Sequence, residues 1–109
     1  MDMIGEMLEM FALHVRATRL PEPERAYVLS LCAGRSTGEV RFDFAWHDHR
    51  IAVRIGKDQP RIYEQAVRYV AEEQGWRVCF FTGGMVRCGA AIATFADEMA
   101  SRDRLLPGT

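Results

Sequence analysis

Two side chains of opposite charge, Asp43 and Arg54, are the strongest candidates for chemistry in this chain. Each lies in a segment in which large apolar residues alternate with charged or small ones, 40–46 and 51–55. Such alternation is typical of half-buried β-strands. The four residues between the segments are short enough for a tight hairpin turn, and counting back from its centre places Asp43 opposite Arg54.

This pairing decides which chemistry the hairpin could perform. Two acids facing each other across it would form a site for Mg²⁺ or Mn²⁺, since these ions prefer carboxylate oxygens. An arginine in place of the second acid removes a ligand and adds positive charge beside any ion. The sequence therefore predicts a salt bridge between Asp43 and Arg54, beside the small residues Ala45 and Ala52. The large residues Val40, Phe42, Phe44 and Trp46 are predicted on the opposite face.

The apolar pattern of the rest of the chain predicts the elements that position this hairpin. In chain order, we expect a helix over 4–18, a strand over 26–32, the hairpin, a helix over 61–74, a strand over 76–81 and a closing helix over 86–99. Ile62, Ala66, Val67 and Val70 are predicted to be the apolar stripe of the second helix. The order α-β-β-β-α-β-α predicts one domain, an α/β sandwich with a central mixed sheet.

Composition narrows the class of protein. The chain has 109 residues, 49% apolar and 27% charged, with a formal net charge of −1, which are ordinary values for one globular domain. Strong sequence-independent binding to nucleic acid would need a clearly basic chain. Three cysteines without metal-binding spacing predict small, buried, reduced thiols and a cytoplasmic location. No apolar run is long enough for a membrane span, so no membrane partner is expected.

Two further motifs have simple structural explanations. His47, Asp48 and His49 could be imagined as metal ligands, but alternating side chains in a tight turn do not converge, so we expect an exposed hairpin tip. Gly83 and Gly84 could bind an anion at a helix start, but we expect a tight strand-to-helix turn instead. A homodimer is also expected, because the chain has more apolar surface than a small core can bury. This surface comes from Trp46, Phe80, Phe81 and the Met-rich first helix.

The combined pattern resembles the PD-(D/E)XK nuclease superfamily, in particular small phage and bacterial endonuclease-like domains related to very-short-patch repair and Holliday-junction-resolving nucleases. The similarity extends over residues 6–96. It depends on the element order and on four segments: 20–25, 41–46, 51–56, and 75–78 with 82–87. The resemblance implies a PD-(D/E)XK-like sandwich, a single nuclease-like domain over 1–109.

The resemblance also implies which residues form the site. In that superfamily an acid in the R-F-D-F-A-W segment is a metal ligand, and Asp43 occupies its position. The next strand normally carries a glutamate two residues before a lysine or its substitute, and here those positions hold Arg54 and Gly56. Residues 57–60 replace a longer charged segment of active relatives. The implied site is therefore degenerate, with Asp43, Arg54 and Lys57 at its catalytic positions.

A route to metal-dependent cleavage nevertheless remains open in the sequence. Glu9 matches an assisting glutamate in the first helix of the family, and Asp58 or Glu64 could replace the missing carboxylate. An active site would then hold Mg²⁺ or Mn²⁺ through Asp43, Glu9 and Asp58, with Lys57 near the scissile phosphate. An inactive site would need no cofactor.

These considerations predict a catalytically inactive nuclease-fold protein of a phage or mobile element that binds a protein or nucleoprotein partner. Small size, lost catalytic residues and near-neutral charge lead to the hypothesis of an anti-CRISPR-type inhibitor of a host defence complex. The alternative is a Mg²⁺/Mn²⁺-dependent DNA endonuclease with a rewired site. A third hypothesis is a DNA-binding module that contacts phosphates without cutting, through Arg41, Arg54, Lys57 and Arg61.

Overall fold

A four-stranded mixed sheet with helices on both faces forms the protein. The computed structural model describes residues 3–33, 36–56 and 60–105. The elements are α1 (Met3–Ala17), β1 (Glu24–Ala33), β2 (Ser36–Trp46), β3 (Ile51–Gly56), α2 (Arg61–Glu73), β4 (Arg77–Thr82), α3 (Gly83–Arg87) and α4 (Ala90–Leu105). The strand order is β1-β2-β3-β4, antiparallel except for the parallel pair β3–β4. The predicted α/β class and mixed sheet are confirmed. Within the described residues, no helix combines the length and hydropathy that crossing a membrane requires.

The closing helix is divided in two, which the sequence pattern did not predict. Thr82 caps α3 by accepting a hydrogen bond from the Met85 amide at 3.2 Å. The chain then turns at Cys88 and Gly89, and Gly89 adopts a φ of +85°. Only glycine adopts this left-handed geometry without strain. One continuous helix over 86–99 is therefore wrong, because Gly89 ends α3 and redirects the chain into α4.

Two apolar clusters hold the layers together. On one face, α1, α3 and α4 cover the sheet around Phe11, which is 0% exposed. Its ring centroid lies 5.5 Å from that of Phe44, 5.9 Å from Phe81 and 5.7 Å from Phe95. On the other face, α2 covers the second cluster, which contains Leu29, Leu31, Phe42, Ala45, Ala52, Val67, Ala71, Trp76 and Val78. The two faces are thus covered unequally.

The apolar residues of β2 do not share one face, contrary to the prediction. Phe44 and Trp46 pack with α1 and α4, whereas Phe42 and Val40 pack beneath α2. Trp46 is only 3% exposed and Phe81 only 4% exposed. The predicted dimer surface built on Trp46 and Phe81 is therefore wrong, because the first cluster buries both side chains.

An irregular position shared by β1 and β2 causes this change of face. The register pairs Arg25 with Phe44 and Tyr27 with Phe42, but within the described strands Ala26 and Asp43 between them do not pair. Ala26 has a φ of +53°, which is uncommon for a residue with a Cβ atom. Side chains before and after this position therefore point to opposite faces. Asp43 consequently lies where the regular alternation is broken.

The free edge of β1 is partly closed by one side chain from the end of α2. Gln74 accepts a hydrogen bond from the Cys32 amide at 2.7 Å and donates one to the Ser30 carbonyl oxygen at 3.0 Å. Edge strands otherwise present unpaired backbone groups to other chains. Gln74 therefore anchors the end of α2 to the sheet and protects two backbone groups of the edge.

The three cysteines differ in accessibility, and this gives a direct test of the fold. Cys79 is buried, and desolvation raises the pKa of its thiol to about 12, whereas Cys32 and Cys88 are exposed. The prediction of three buried thiols is therefore wrong for two of them. Because the thiolate is the reactive form, we expect iodoacetamide at pH 8 to modify two thiols of the folded protein, and Cys79 only after unfolding. Mass spectrometry of the intact protein would count the adducts, and rapid modification of all three would contradict this packing.

Candidate functional site at the split between two strands

The sheet divides between β2 and β3 close to Asp43 and Arg54, the candidate residues predicted from the sequence. β2 and β3 pair only through Trp46–Ile51, Ala45–Ala52 and Phe44–Val53. This part of the predicted hairpin register is confirmed. Beyond Phe44 and Val53, within the described strands, β2 continues beside β1 and β3 continues beside β4. A split therefore opens between the two central strands, and Asp43 is the first residue of β2 that lies in it.

The Asp43 carboxylate bridges this split. Its Oδ2 atom accepts a hydrogen bond from the backbone amide of Ile55 at 2.7 Å. Asp43 is half-buried, and Ile55 is only 4% exposed. A backbone N–H group in such a place needs an acceptor, because an unpaired one costs free energy. The side chain of Asp43 thus replaces the backbone carbonyl that a regular ladder would have supplied.

Arg54 lies next to this bond without pairing with Asp43. Its Nη1 atom donates to the hydroxyl of Tyr63 in α2 at 3.4 Å. Among the described residues, Asp43 has no cationic partner within 4.0 Å, so the predicted salt bridge is wrong. The physical reason is that the β2–β3 ladder ends before these residues would face each other. The partner of Asp43 is the next amide along β3 instead.

Glu9 is bound by Arg25 rather than turned toward Asp43. The guanidinium of Arg25 donates to both carboxylate oxygens, with Nη2 3.3 Å from Oε1. The same guanidinium lies over the Phe44 ring, 5.2 Å from its centroid. The hydrogen bond from Arg25 and its positive charge lower the pKa of Glu9. The same hydrogen bond and the negative charge of Glu9 raise the pKa of Arg25. The pair joins α1 to the start of β1 beside the first cluster.

This pair predicts a pH dependence of stability. The pKa of Glu9 lies below its ordinary value of 4.5 in the folded protein. Its contribution to the free energy of unfolding is therefore present above the pKa of the unfolded state, and it is lost as the pH falls through the pKa of the folded state. We expect urea unfolding midpoints to fall less steeply below about pH 4 in Glu9→Gln than in the natural chain. Arg25→Gln should flatten the profile in the same way. Identical acid profiles for all three proteins would contradict the assignment.

Of the remaining candidate ligands, the structure describes only Glu64. Lys57 and Asp58 lie outside the described residues, and Glu64 lies half-buried in the first turn of α2. Within ranges 3–33, 36–56 and 60–105, no three His, Cys, Asp or Glu side chains are close enough to hold one ion. Arg54 stands where the resemblance would need a second carboxylate. Within the described residues, Asp43 is therefore not part of an assembled set of three ligands for the divalent ion that the resemblance implies.

The turn between β2 and β3 is anchored to the last helix. His49 Nε2 lies 2.7 Å from Asp103 Oδ1 in α4, and His49 is half-buried, whereas His47 and Asp48 are exposed. The predicted exposed tip is thus confirmed for two of its three residues. No local signal in the sequence could have found this contact, because its partners are 54 positions apart.

Comparisons of the chain with models of protein families, with curated proteins and with solved structures find no match. The nuclease resemblance therefore depends on the residues of this chain alone. Two residues that take part in the site were missed by the sequence analysis, Tyr63 as the partner of Arg54 and Arg25 as the partner of Glu9. Both contacts join different elements, and neither follows from the periodicity of one element.

Proposed function

We propose that this chain is a catalytically inactive, PD-(D/E)XK-like domain that binds a protein or nucleoprotein partner. The observation that carries the proposal is the hydrogen bond from the Ile55 amide to the Asp43 carboxylate, 2.7 Å long. The acid that would hold the metal in an active relative acts here as a structural link between two strands. Its chemical role in the family is thereby replaced by a role in the fold.

The charges around Asp43 support the loss of catalysis. Hydrolysis of a phosphodiester with Mg²⁺ needs hard oxygen ligands that converge on one ion. One oxygen of Asp43 already accepts a hydrogen bond, and Arg54 places a positive charge at the position of the second ligand. A cation beside an incoming divalent ion opposes its binding. Residual cleavage would require ligands from other parts of the chain.

The same surface has the composition of a binding site. Tyr63 is 39% exposed and accepts a hydrogen bond from the half-buried Arg54. Tyrosine and arginine are enriched among the residues that dominate protein interfaces. Because the net charge of the chain is −1, bare nucleic acid is a poor partner. We propose a nucleoprotein complex of host defence, which would make the protein an anti-CRISPR-type inhibitor.

A cleavage assay tests the catalytic half of the proposal. Single-stranded, double-stranded and branched DNA would be incubated with the natural chain, Asp43→Asn and Arg54→Glu, each with Mg²⁺ and with Mn²⁺. We expect no cutting by the natural chain. Cutting that disappears in Asp43→Asn would overturn the proposal and favour a rewired endonuclease. Cutting gained only by Arg54→Glu would support a nuclease that lost its second acid.

An interference assay tests the partner. The chain would be expressed in bacteria with an active CRISPR system, and transformation by a targeted plasmid would be counted. We expect the natural chain to raise transformation and Tyr63→Ala to lose the effect, because truncating an interface hot spot costs about 2 kcal/mol or more, roughly a 30-fold loss of affinity. Leu13→Ala, at another exposed position, is the control. Equal transformation with and without the protein would remove this partner class.

A further inference from the structure

We propose that two copies of this chain pair through the outward face of α2, as antiparallel helices related by a two-fold axis near Ala66. This pairing does not depend on the proposed function. An apolar stripe on that face consists of Ile62, Ala66 and Tyr69. Ile62 is 77% exposed, Tyr69 is 67% exposed and Ala66 is exposed as well.

The spacing of these residues puts them on one side of the helix. Positions i, i+4 and i+7 lie along a single helical face. The prediction that Ile62 and Ala66 face the core is wrong, since α2 turns Val67 and Ala71 toward the sheet. The second apolar stripe is therefore left on the outer surface of the protein. We call Ile62, Ala66 and Tyr69 the outer stripe.

The helical layer that contains the outer stripe has fewer helices than the opposite layer. Among the described elements, α2 is the only helix over its face of the sheet, whereas α1, α3 and α4 share the other. A single helix is about 10 Å wide, and four strands spaced about 4.8 Å apart are wider than that. Apolar residues at the margin of the second cluster, one of them in α2, are accordingly only partly buried: Tyr27, Val40, Val70 and Phe80. Additional coverage of this face would therefore bury apolar area that is still accessible.

The charges at the ends of α2 identify a second copy as the partner. Arg61 begins the helix and Glu73 ends it, and both are exposed. In an antiparallel pair centred near Ala66, Arg61 of each copy comes within one helical turn of Glu73 of the other, so two ion pairs can flank the apolar contact. The small side chain of Ala66 at the crossing point allows the helix axes to approach closely. A surface that complements itself under a two-fold rotation is the requirement for a symmetric dimer.

The size of this surface predicts a weak and reversible dimer. α2 has 13 residues, which corresponds to about 20 Å of helix. One helix pair of that length lies at the low end of specific interfaces, below about 1,200 Å² in total. We therefore expect a dissociation constant in the micromolar range, roughly 10 to 100 μM. The dimer should be visible only across a wide range of protein concentration.

Sedimentation equilibrium of the full chain from about 5 μM to 1 mM tests the proposal, because this range spans the expected dissociation constant. We expect the natural chain to convert from monomer to dimer over this range and Ala66→Glu to remain monomeric. Leu13→Glu, which places the same charge at a 62% exposed apolar position of α1, should dimerise like the natural chain. Circular dichroism would verify that both variants are folded. A natural chain that stays monomeric throughout, or a dimer that Ala66→Glu leaves intact, would overturn the proposal.

A charge swap tests the antiparallel orientation. Arg61→Glu and Glu73→Arg should each weaken the dimer about tenfold, since like charges then face each other across the pair. The double variant should restore the affinity of the natural chain. Both substitutions suit the helix itself, because acids are favourable at its start and bases at its end, so the fold should survive. Failure of the double variant to recover affinity would exclude the antiparallel arrangement.

Discussion

Asp43→Ala is expected to lower the free energy of unfolding by about 2 to 3 kcal/mol, the range for a hydrogen bond to a charged group whose partner stays buried. The substitution removes the acceptor of the Ile55 amide, and Ile55 is only 4% exposed. It also frees β2 and β3 from each other at the start of the split. An acid used only for catalysis would show no such loss, because active-site ligands rarely stabilise the fold they belong to.

Asp43→Asn is the matched control for this substitution. Its amide oxygen can still accept the hydrogen bond from Ile55, so we expect a loss of less than about 1.5 kcal/mol. Urea unfolding followed by far-ultraviolet circular dichroism would give both free energies. If Asn destabilised as much as Ala, the charge of Asp43 and not its acceptor oxygen would be the important feature. If neither variant changed stability, the structural role of Asp43 would be refuted.

Phe11→Ala is expected to cost about 3 to 5 kcal/mol, the usual range for removing a buried phenylalanine. The Phe11 ring is 0% exposed and lies within 6 Å, centroid to centroid, of Phe44, Phe81 and Phe95. Those three residues belong to β2, β4 and α4, so the cavity would weaken the packing of α1 against all three elements. A loss of this size is a large fraction of the stability of a small domain.

Leu13→Ala separates this packing effect from a loss of helix propensity. Leu13 lies in the same helix but is 62% exposed, so we expect a change within about 0.5 kcal/mol. Thermal unfolding by calorimetry would measure both variants on one scale. A Phe11→Ala protein as stable as Leu13→Ala would mean that α1 does not pack against the sheet as described.

The strongly periodic parts of the sequence predicted the architecture well. Apart from the division of the closing helix, the order of the elements followed from helical periodicity and strand alternation. The pairing of Trp46 with Ile51 followed from the length of the turn. The change of face at Asp43 did not, because alternation assumes an unbroken strand. Ala26, opposite that position, adopts a positive φ, and nothing about alanine signals this geometry. An asparagine or glycine there would have indicated an irregular strand.

The contacts of the candidate site were less predictable than the elements. Counting residues placed Arg54 opposite Asp43, but an aspartate can also bind a backbone amide, and sequence does not distinguish the two. The pair formed by Glu9 and Arg25 joins residues 16 positions apart and depends on how α1 packs against the sheet. Similarly, the orientation of α2 was ambiguous, because it has one apolar stripe around Val67 and another around Ala66.

Titration with Mn²⁺ followed by amide NMR tests directly whether Asp43 only links two strands or also binds metal. A bound Mn²⁺ ion broadens the signals of nearby amides through its unpaired electrons. We expect the amides of Asp43, Arg54 and Ile55 to lose no more intensity than other exposed or half-buried amides as Mn²⁺ is added. Selective broadening of these three signals, abolished in Asp43→Asn, would contradict this expectation and identify a metal site at the split.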